Sequence, residues 1–268
     1  MIVSTVLVAI AVSGLLLYRV LLSTPEVKFS LKAAIIDQLG EEFPNSEFNE
    51  TGIVANFLKD AGFNVSYSRS ETVSVTLYKG LAKLAYGIII LRAHSAIREG
   101  ETIVDFFTSE EFTLNNHVSE RENGLLTKGY YPWKPNEFYF AITPEFIENL
   151  EGSFPKSIVV AMGCNTLNAT CTEMAETFLK KGAKAYIGWT GAVEPSHTDN
   201  ETIRFLREFL DENRTLHTAV EVTSPDPLFG SVMNYYPSGI GNLTLSDLLM
   251  EADVSSNQHI AYSCLLYT

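Results

Sequence analysis

A cysteine and a histidine each follow an apolar run that is typical of a buried β-strand. Residues 157–163 read Ser-Ile-Val-Val-Ala-Met-Gly and lead to Cys164, and residues 87–91 read Gly-Ile-Ile-Ile-Leu and lead through two residues to His94. A free cysteine has a pKa of about 8.5, so a neighbouring imidazole must take its proton or stabilise the thiolate before it is a good nucleophile. The two residues therefore predict acyl transfer, and peptide hydrolysis in particular, if the fold brings them together.

Strand-like and helix-like segments alternate, which predicts a mostly parallel sheet with helices on both faces. The predicted strands cover residues 32–37, 64–68, 87–91, 157–164 and 183–190, and the predicted helices cover residues 49–62, 73–86, 143–150, 172–181 and 198–213. A hairpin is predicted over residues 102–114, an aromatic loop over residues 129–135 and a short strand over residues 243–245. Open α/β sheets bind ligands at the carboxyl ends of their strands. Neighbouring strands lie about 4.8 Å apart, so two such strand ends could bring Cys164 and His94 close together.

The same surroundings favour charge stabilisation at Cys164. The helix predicted after this residue would direct its positive end towards a thiolate, and backbone N–H groups at both strand ends could stabilise an oxyanion. A structural interpretation competes with catalysis, because cysteine is among the most frequently buried residue types. A histidine at a strand end is also commonly held by structural hydrogen bonds.

The segments around the two residues resemble the caspase-like clan of cysteine peptidases, which includes caspases, clostripain, gingipains, legumain, separase and CHAT domains. Residues 88–95 and 159–166 carry the resemblance, and residues 174–190 add a helix, a Gly-Ala turn and a strand similar to those that follow the catalytic cysteine in gingipain-like and CHAT proteins. In order of elements it covers residues 30 to about 210. It implies an α/β fold, namely a caspase-like three-layer sandwich with a mostly parallel central sheet.

The resemblance also implies a role for each residue. His94 matches the general acid/base, Cys164 matches the nucleophile, and the N–H groups of Ser95 and Cys164 match the oxyanion hole. The family usually has glycine at the position of Ser95, and glycine tolerates backbone angles that serine resists. This departure keeps a second hypothesis open, a catalytically inactive caspase-like domain that acts as a membrane-tethered binding module. The family needs no metal or other cofactor for its chemistry.

The expected partner is a peptide or protein substrate. Clostripain-like and gingipain-like members hold a basic residue before the cleaved bond in an acidic pocket, for which Glu110, Glu194 and Asp199 are candidates in this chain. Each of them has an alternative interpretation as a solvated surface acid. Trp189, at the end of the strand that follows Cys164, either lines the substrate pocket or belongs to the core.

The charge balance excludes nucleic acid as an expected partner. The 268 residues carry a formal net charge of −13, from 32 acidic and 19 basic residues, and phosphate binding needs clustered Lys and Arg. A nucleotide-binding domain is also disfavoured, because residues 37–42 read Asp-Gln-Leu-Gly-Glu-Glu where a glycine-rich phosphate loop would follow the first strand.

The first 25 residues predict a transmembrane anchor. Residues 1–18 carry no charged side chain and Arg19 interrupts the apolar run, which approaches the roughly 20 residues that span a bilayer as a helix. A cleaved signal peptide and a buried core helix remain alternatives, although the basic start and the cleavage site of a signal peptide are not clear. The predicted organisation is an anchor over residues 1–25 and one caspase-like peptidase domain over residues 26–268.

The orientation of this anchor is contested within the sequence. Arg19 and Lys28 follow the apolar segment and favour a cytoplasmic domain by the positive-inside rule. Six Asn-x-Ser/Thr glycosylation triplets favour the opposite side, and they begin at Asn49, Asn64, Asn168, Asn200, Asn213 and Asn242. We expect a single-pass membrane protein whose soluble domain is a glycosylated, extracytoplasmic one.

The three cysteines leave at least one thiol unpaired in an oxidising compartment. Cys171 and Cys264 could pair and leave Cys164 free, whereas a bridge between Cys164 and Cys171 would block the expected nucleophile. All three residues could equally be free thiols.

Overall fold

The fold is built on two β-sheets. The computed structural model describes residues 28–250 and Ala252. Its strands, in chain order, are β1 (Lys32–Asp37), β2 (Asn64–Ser68), β3 (Ile88–Arg92), β4 (Ser95–Ile97), β5 (Val104–Glu111), β6 (Leu126–Tyr131), β7 (Lys134–Ile142), β8 (Ile158–Ala161), β9 (Ala185–Trp189) and β10 (Met233–Tyr236). The central sheet has the strand order β10-β9-β8-β3-β1-β2, in which β10 is antiparallel to β9 and the other neighbours are parallel. The predicted mostly parallel sheet is therefore confirmed.

Helices cover both faces of this sheet. In chain order they are α1 (Ile53–Asp60), α2 (Val75–Leu84), α3 (Val118–Glu122), α4 (Pro144–Glu148), α5 (Glu173–Lys180), α6 (Pro195–Leu206), α7 (Leu216–Glu221) and α8 (Leu245–Met250), and a π-helical turn (Arg207–Asp211) continues α6. The helices α1, α6, α7 and α8 contribute to one buried cluster, and α2, α4 and α5 contribute to the other. The chain thus has an α/β fold with a helical layer on each side of the sheet.

The apolar runs form strands because both of their faces are buried. In β3, Ile88 and Ile90 belong to one buried cluster, whereas Ile89 and Leu91 belong to the other. Successive side chains of a strand point to opposite faces, so a strand between two helical layers needs apolar residues at every position. This is the reason why β3 and β8 read as uninterrupted apolar runs.

Local sequence signals explain where two of the helices begin. The Thr143 hydroxyl accepts a hydrogen bond from the Phe146 N–H at 3.2 Å, and Pro144 occupies the first turn of α4. Ser74 caps α2 in the same way, through the Leu77 N–H at 3.3 Å.

The second sheet is antiparallel, with the order β4-β5-β7-β6, and the sequence did not predict it. The predicted hairpin over residues 102–114 is wrong, because β5 is one continuous strand that pairs with both β4 and β7. The predicted aromatic loop over residues 129–135 is also largely wrong, since it contains the end of β6 and the start of β7. This sheet lies in the connection between β3 and β8 and packs into the same cluster as α2 and α5.

The carboxyl-terminal part differs from the prediction as well. The strand predicted over residues 243–245 is absent from the described residues, where α8 begins at Leu245, and the edge strand β10 was missed. The predicted anchor over residues 1–25 lies outside the described residues. In residues 28–250, no helix has both the length and the hydropathy that a membrane span requires.

Candidate active site

His94 and Cys164 follow neighbouring parallel strands. β3 and β8 pair directly, with Leu91 opposite Ala161, and the Met162 N–H donates to the Leu91 carbonyl at 2.9 Å. His94 lies three residues beyond Leu91, and Cys164 lies three residues beyond Ala161. Equal steps from paired positions bring both residues to the same edge of the sheet.

Both side chains line one cavity of about 560 Å³ at this edge. Its other walls include residues from the loop that follows β1, namely Leu39, Glu42 and Phe43, and residues 192–195 from the loop that follows β9. The connection after β1 leads to β2 on one side, whereas the connection after β3 leads to β8 on the other. Such a reversal opens a crevice at the carboxyl ends of the strands.

The His94 imidazole is oriented by a carboxylate that the sequence did not identify. Its Nε2 lies 3.3 Å from Oε2 of Glu42, and its main-chain N–H donates to Oε1 of Gln38 at 2.9 Å. Four aromatic rings contact it, and the nearest two are Tyr131 at 4.5 Å and Trp133 at 5.6 Å between ring centroids. Burial lowers the pKa of His94, and the negative charge of Glu42 opposes part of this effect. Burial therefore favours the neutral imidazole, which is the form that can accept a proton.

The Cys164 sulfur contacts the loop that follows β9. Its thiol donates to the Val193 carbonyl at 3.7 Å, and the Val193 N–H donates to the sulfur at 3.4 Å. Burial raises the pKa of Cys164; the Val193 N–H opposes this, and the carboxylates of Asp226 and Glu194 add to it. Burial thus favours the neutral thiol at Cys164, so forming a thiolate there requires the transfer of its proton.

Two backbone N–H groups at the strand ends, those of Ser95 and Cys164, have no hydrogen-bond partner among the described residues. The Arg98 N–H donates to the Ile103 carbonyl, and the Phe107 N–H donates to the His94 carbonyl. Hydrogen-bonded and non-hydrogen-bonded positions alternate along an antiparallel pair, so the Ser95 N–H points away from β5. No hydrogen bond in residues 28–250 uses the Cys164 N–H. Both groups border the edge at which the sulfur lies.

Ser95 joins the two strand-end loops. It is part of strand β4, and its hydroxyl donates to the Cys164 carbonyl at 2.6 Å. Gly163 makes this approach possible, because a Cβ there would lie 2.5 Å from the Ala93 carbonyl oxygen. The serine is accommodated in ordinary strand geometry and acts as a tie between the loops.

A buried ionic network lies beneath the site. Arg92 donates to Asp37 at 2.6 Å and to both oxygens of Asp199 at 2.7 and 2.8 Å. It also donates to the Phe43 carbonyl at 2.7 Å. Burial raises the pKa of Asp37, an effect that Arg92 opposes. The network joins β1, β3 and α6 to the loop that carries Glu42.

The structure separates the predicted substrate-binding residues. Glu194 lines the cavity and is partly exposed. Asp199 is buried and paired with Arg92, so it does not face the cavity as an acidic pocket residue would. Trp189 is fully buried beneath α6, where its indole N–H donates to Thr198 at 2.9 Å. It is a core residue rather than a pocket residue.

Glu110 also lies away from the cavity. It is the seventh residue of β5, and its carboxylate contacts His117 at 2.7 Å and the Val75 N–H at 3.0 Å. Trp133, by contrast, lines the cavity and donates to Oε1 of Glu42 at 2.5 Å. The acidic loop after the first strand was the one sequence signal that could have indicated Glu42, because it stands where strand order reverses.

Cys164 and Cys171 are both free thiols, so no bridge blocks the sulfur in the described part of the chain. Cys264 lies outside the described residues. In the region that the structure describes, no group of His, Cys, Asp and Glu side chains could hold a metal ion.

Comparison with known proteins does not assign the chain to a family. No protein-family model matches it, and no curated protein is significantly similar to it.

Proposed function

We propose that this protein is a cysteine endopeptidase of the caspase-like type, with Cys164 as the nucleophile and His94 as the general acid/base. The observation that carries the proposal is the pairing of β3 with β8, which brings both side chains to the wall of one cavity. The helices on both faces of the sheet and the element order agree with the caspase-like resemblance of the sequence.

The proposed reaction proceeds through a thioester. The His94 imidazole accepts the thiol proton while the Cys164 sulfur attacks the scissile carbonyl carbon, whose oxygen becomes an anion facing the N–H groups of Ser95 and Cys164. The imidazolium then gives its proton to the leaving amine as the C–N bond breaks. Water, deprotonated by His94, releases the acid and returns the thiol. Glu42 stabilises the imidazolium at each step.

The membrane anchor and the extracytoplasmic location belong to the proposal too. All six sequon asparagines are exposed or partly exposed, as glycosylation in an extracytoplasmic compartment requires. Residues 1–25 would tether the domain to the membrane through one apolar helix. The partners in this proposal are a peptide or protein substrate and the bilayer.

One observation favours the second candidate function, an inactive domain of the same fold that binds partners at the membrane. The sulfur of Cys164 is engaged by Val193, and no hydrogen bond within residues 28–250 joins it to His94. In an active enzyme, substrate binding must turn the sulfur from Val193 towards the imidazole.

Covalent labelling of the full chain with a peptidyl acyloxymethyl ketone tests the proposal. The thiolate displaces the acyloxy group and forms a thioether, so labelling requires a competent nucleophile. We expect Cys164→Ala to abolish labelling and Cys171→Ala to retain it. His94→Ala should lose labelling while His117→Ala keeps it. Equal labelling of the two cysteine variants would exclude Cys164 as the nucleophile.

A further inference from the structure

The cavity beside Cys164 has an apolar interior and two aromatic rings at its mouth. Leu39 and Met162 form buried parts of its wall and are 3% and 1% exposed. Trp133 and Phe229 also line it, and they are 55% and 52% exposed. Large aromatic rings half exposed to water beside a nucleophile present apolar surface that a substrate side chain can cover.

The carboxylates around the cavity are largely committed to protein groups. Both oxygens of Glu42 are engaged, Oε1 by the Trp133 indole N–H and Oε2 by His94. Asp199 is paired with Arg92 away from the cavity. Asp199 is therefore not available to a basic substrate side chain, and a cation beside Glu42 would have to compete with His94 and Trp133 for its oxygens.

Glu194 is the remaining acid at the cavity wall. Within the described residues, its carboxylate makes no hydrogen bond or ion pair. It stands immediately before α6 and is partly exposed, so a cation beside it would stay in contact with water. Exposed ion pairs contribute little to binding, whereas covering apolar wall contributes in proportion to the area removed from water.

We propose that this cavity binds a large apolar side chain, such as that of Phe, Leu or Met, of the substrate residue whose carbonyl Cys164 attacks. The inference rests on the proposed function and names its substrate class. The volume of about 560 Å³ lies within the range of small-molecule sites and accepts a full aromatic side chain.

Hydrogen bonds hold the backbone of Phe229 at the wall of this pocket. Asp226 is buried, and its Oδ1 accepts the N–H groups of Leu228 and Phe229 at 2.9 Å each. Its Oδ2 accepts the Glu194 N–H at 2.9 Å, which joins this loop to the opposite loop after β9. Leu228 is 68% exposed and does not line the cavity, so it offers a matched control for Phe229.

A series of fluorogenic peptides that differ at the residue before the scissile bond tests the inference on the full chain. The series contains Phe, Leu, Ala, Arg and Asp at that position. We expect kcat/KM for Phe and Leu to exceed that for Ala by at least about tenfold, since each methylene in an apolar pocket changes specificity by roughly 10- to 200-fold. Arg and Asp should fall below Phe and Leu.

Two variants identify the wall that selects the side chain. Phe229→Ala should lower kcat/KM for the Phe peptide by about tenfold, while Leu228→Ala should change it by less than about twofold. Glu194→Gln should leave the ratio of the Phe to the Ala peptide unchanged. If Phe229→Ala does not fold, the labelling rates of the natural chain with Phe- and Arg-containing acyloxymethyl ketones give the same comparison.

The outcomes separate this inference from the proposed function. A preference for Arg that Glu194→Gln removes would overturn the apolar pocket and leave the peptidase assignment intact, as would equal rates for all five peptides. Absence of both cleavage and labelling would overturn the peptidase assignment, and the inference would fall with it.

Discussion

The buried arginine beneath the site allows a sharp test of the fold. The Arg92 side chain is 0% exposed, and its partners Asp37 and Asp199 are 3% and 5% exposed. The substitution Arg92→Met keeps much of the aliphatic volume but removes every donor. Two carboxylates then stay buried without a counter-charge, which is the costly case for a buried ion network.

The expected loss is about 3–5 kcal/mol in the free energy of unfolding. Natural domains have about 5–15 kcal/mol in total, so the variant should retain a measurable but much smaller stability. Arg69→Met serves as the matched control, because Arg69 and Glu71 are 70% and 61% exposed in their ion pair. An exposed pair of this kind contributes about 0–1 kcal/mol.

Urea unfolding of the full chain in detergent, followed by tryptophan fluorescence, measures both losses. The combination Arg92→Met, Asp37→Asn and Asp199→Asn should recover part of the deficit, because neutral amides leave no buried charge. If Arg92→Met loses no more than the Arg69→Met control, the three side chains are not the buried network described above.

The pH dependence of the same variant has a definite sign. Without the arginine, burial keeps the folded-state pKa of Asp37 above the unfolded-state value, with no counter-charge to oppose it. Protonation then stabilises the folded variant, so its deficit relative to the natural chain should shrink as the pH falls from about 8 to about 5. A deficit that grows in this direction would contradict the burial of the carboxylates.

Three further predictions concern the proposed active site. Glu42→Gln should lower kcat/KM by about 10- to 100-fold. The Glu42 carboxylate lies 3.3 Å from the His94 ring, and at an effective dielectric constant of 20 two charges at that distance interact by at most about 5 kcal/mol, which solvent reduces. Glu41 is an exposed neighbour, so Glu41→Gln should have little effect. Burial lowers the pKa of His94 and raises that of Cys164. We therefore expect kcat/KM to rise with pH below the ordinary histidine pKa of about 6.5 and to stay level past about 8.5. A further rise of kcat/KM above pH 6.5 would contradict this expectation. Gly163→Ala should cost about 1–3 kcal/mol in unfolding experiments and remove activity, because the added methyl group meets a carbonyl oxygen 2.5 Å away.

The sequence predicted the central pair of the site because the signals were local. His94 and Cys164 each follow an apolar run that forms a strand, and each lies in the turn after it. Because the two strands are parallel neighbours, both residues lie at the same edge of the sheet. Glu42 could not be predicted in the same way. Its contact with His94 depends on how the loop after β1 folds across the sheet edge, where Arg92 donates to the Phe43 carbonyl.

The prediction for Trp189 depended on a strand that the sequence did not reveal. If β9 were the edge strand of the sheet, Trp189 would have no strand beside it on one side, and a pocket could lie there. β10 pairs with β9 and sets Met233 opposite Trp189, so the residue lies within the sheet. The strand β10 is only four residues long and lies among prolines, which weakens its periodic pattern.

Asp199 shows why charge alone does not identify a binding residue. In sequence it stands in a polar stretch near the site, and acidic residues are usually solvated. In α6 its position faces the sheet, where Arg92 from β3 is the partner that makes its burial possible. The interaction joins residues that are far apart in the chain, so no local pattern records it.

The loop that follows β1 contacts both the buried ionic network and the His94 imidazole. Arg92 donates to the Phe43 carbonyl, and the preceding residue, Glu42, contacts the His94 imidazole. The guanidinium that neutralises the buried carboxylates thus also holds the loop whose Glu42 contacts the proposed general base, His94. Arg92→Met should therefore lower kcat/KM by more than the fraction of unfolded protein accounts for. If the folded fraction alone explains the activity of this variant, the loop is positioned by other contacts, of which the Trp133 indole on Glu42 is the foremost.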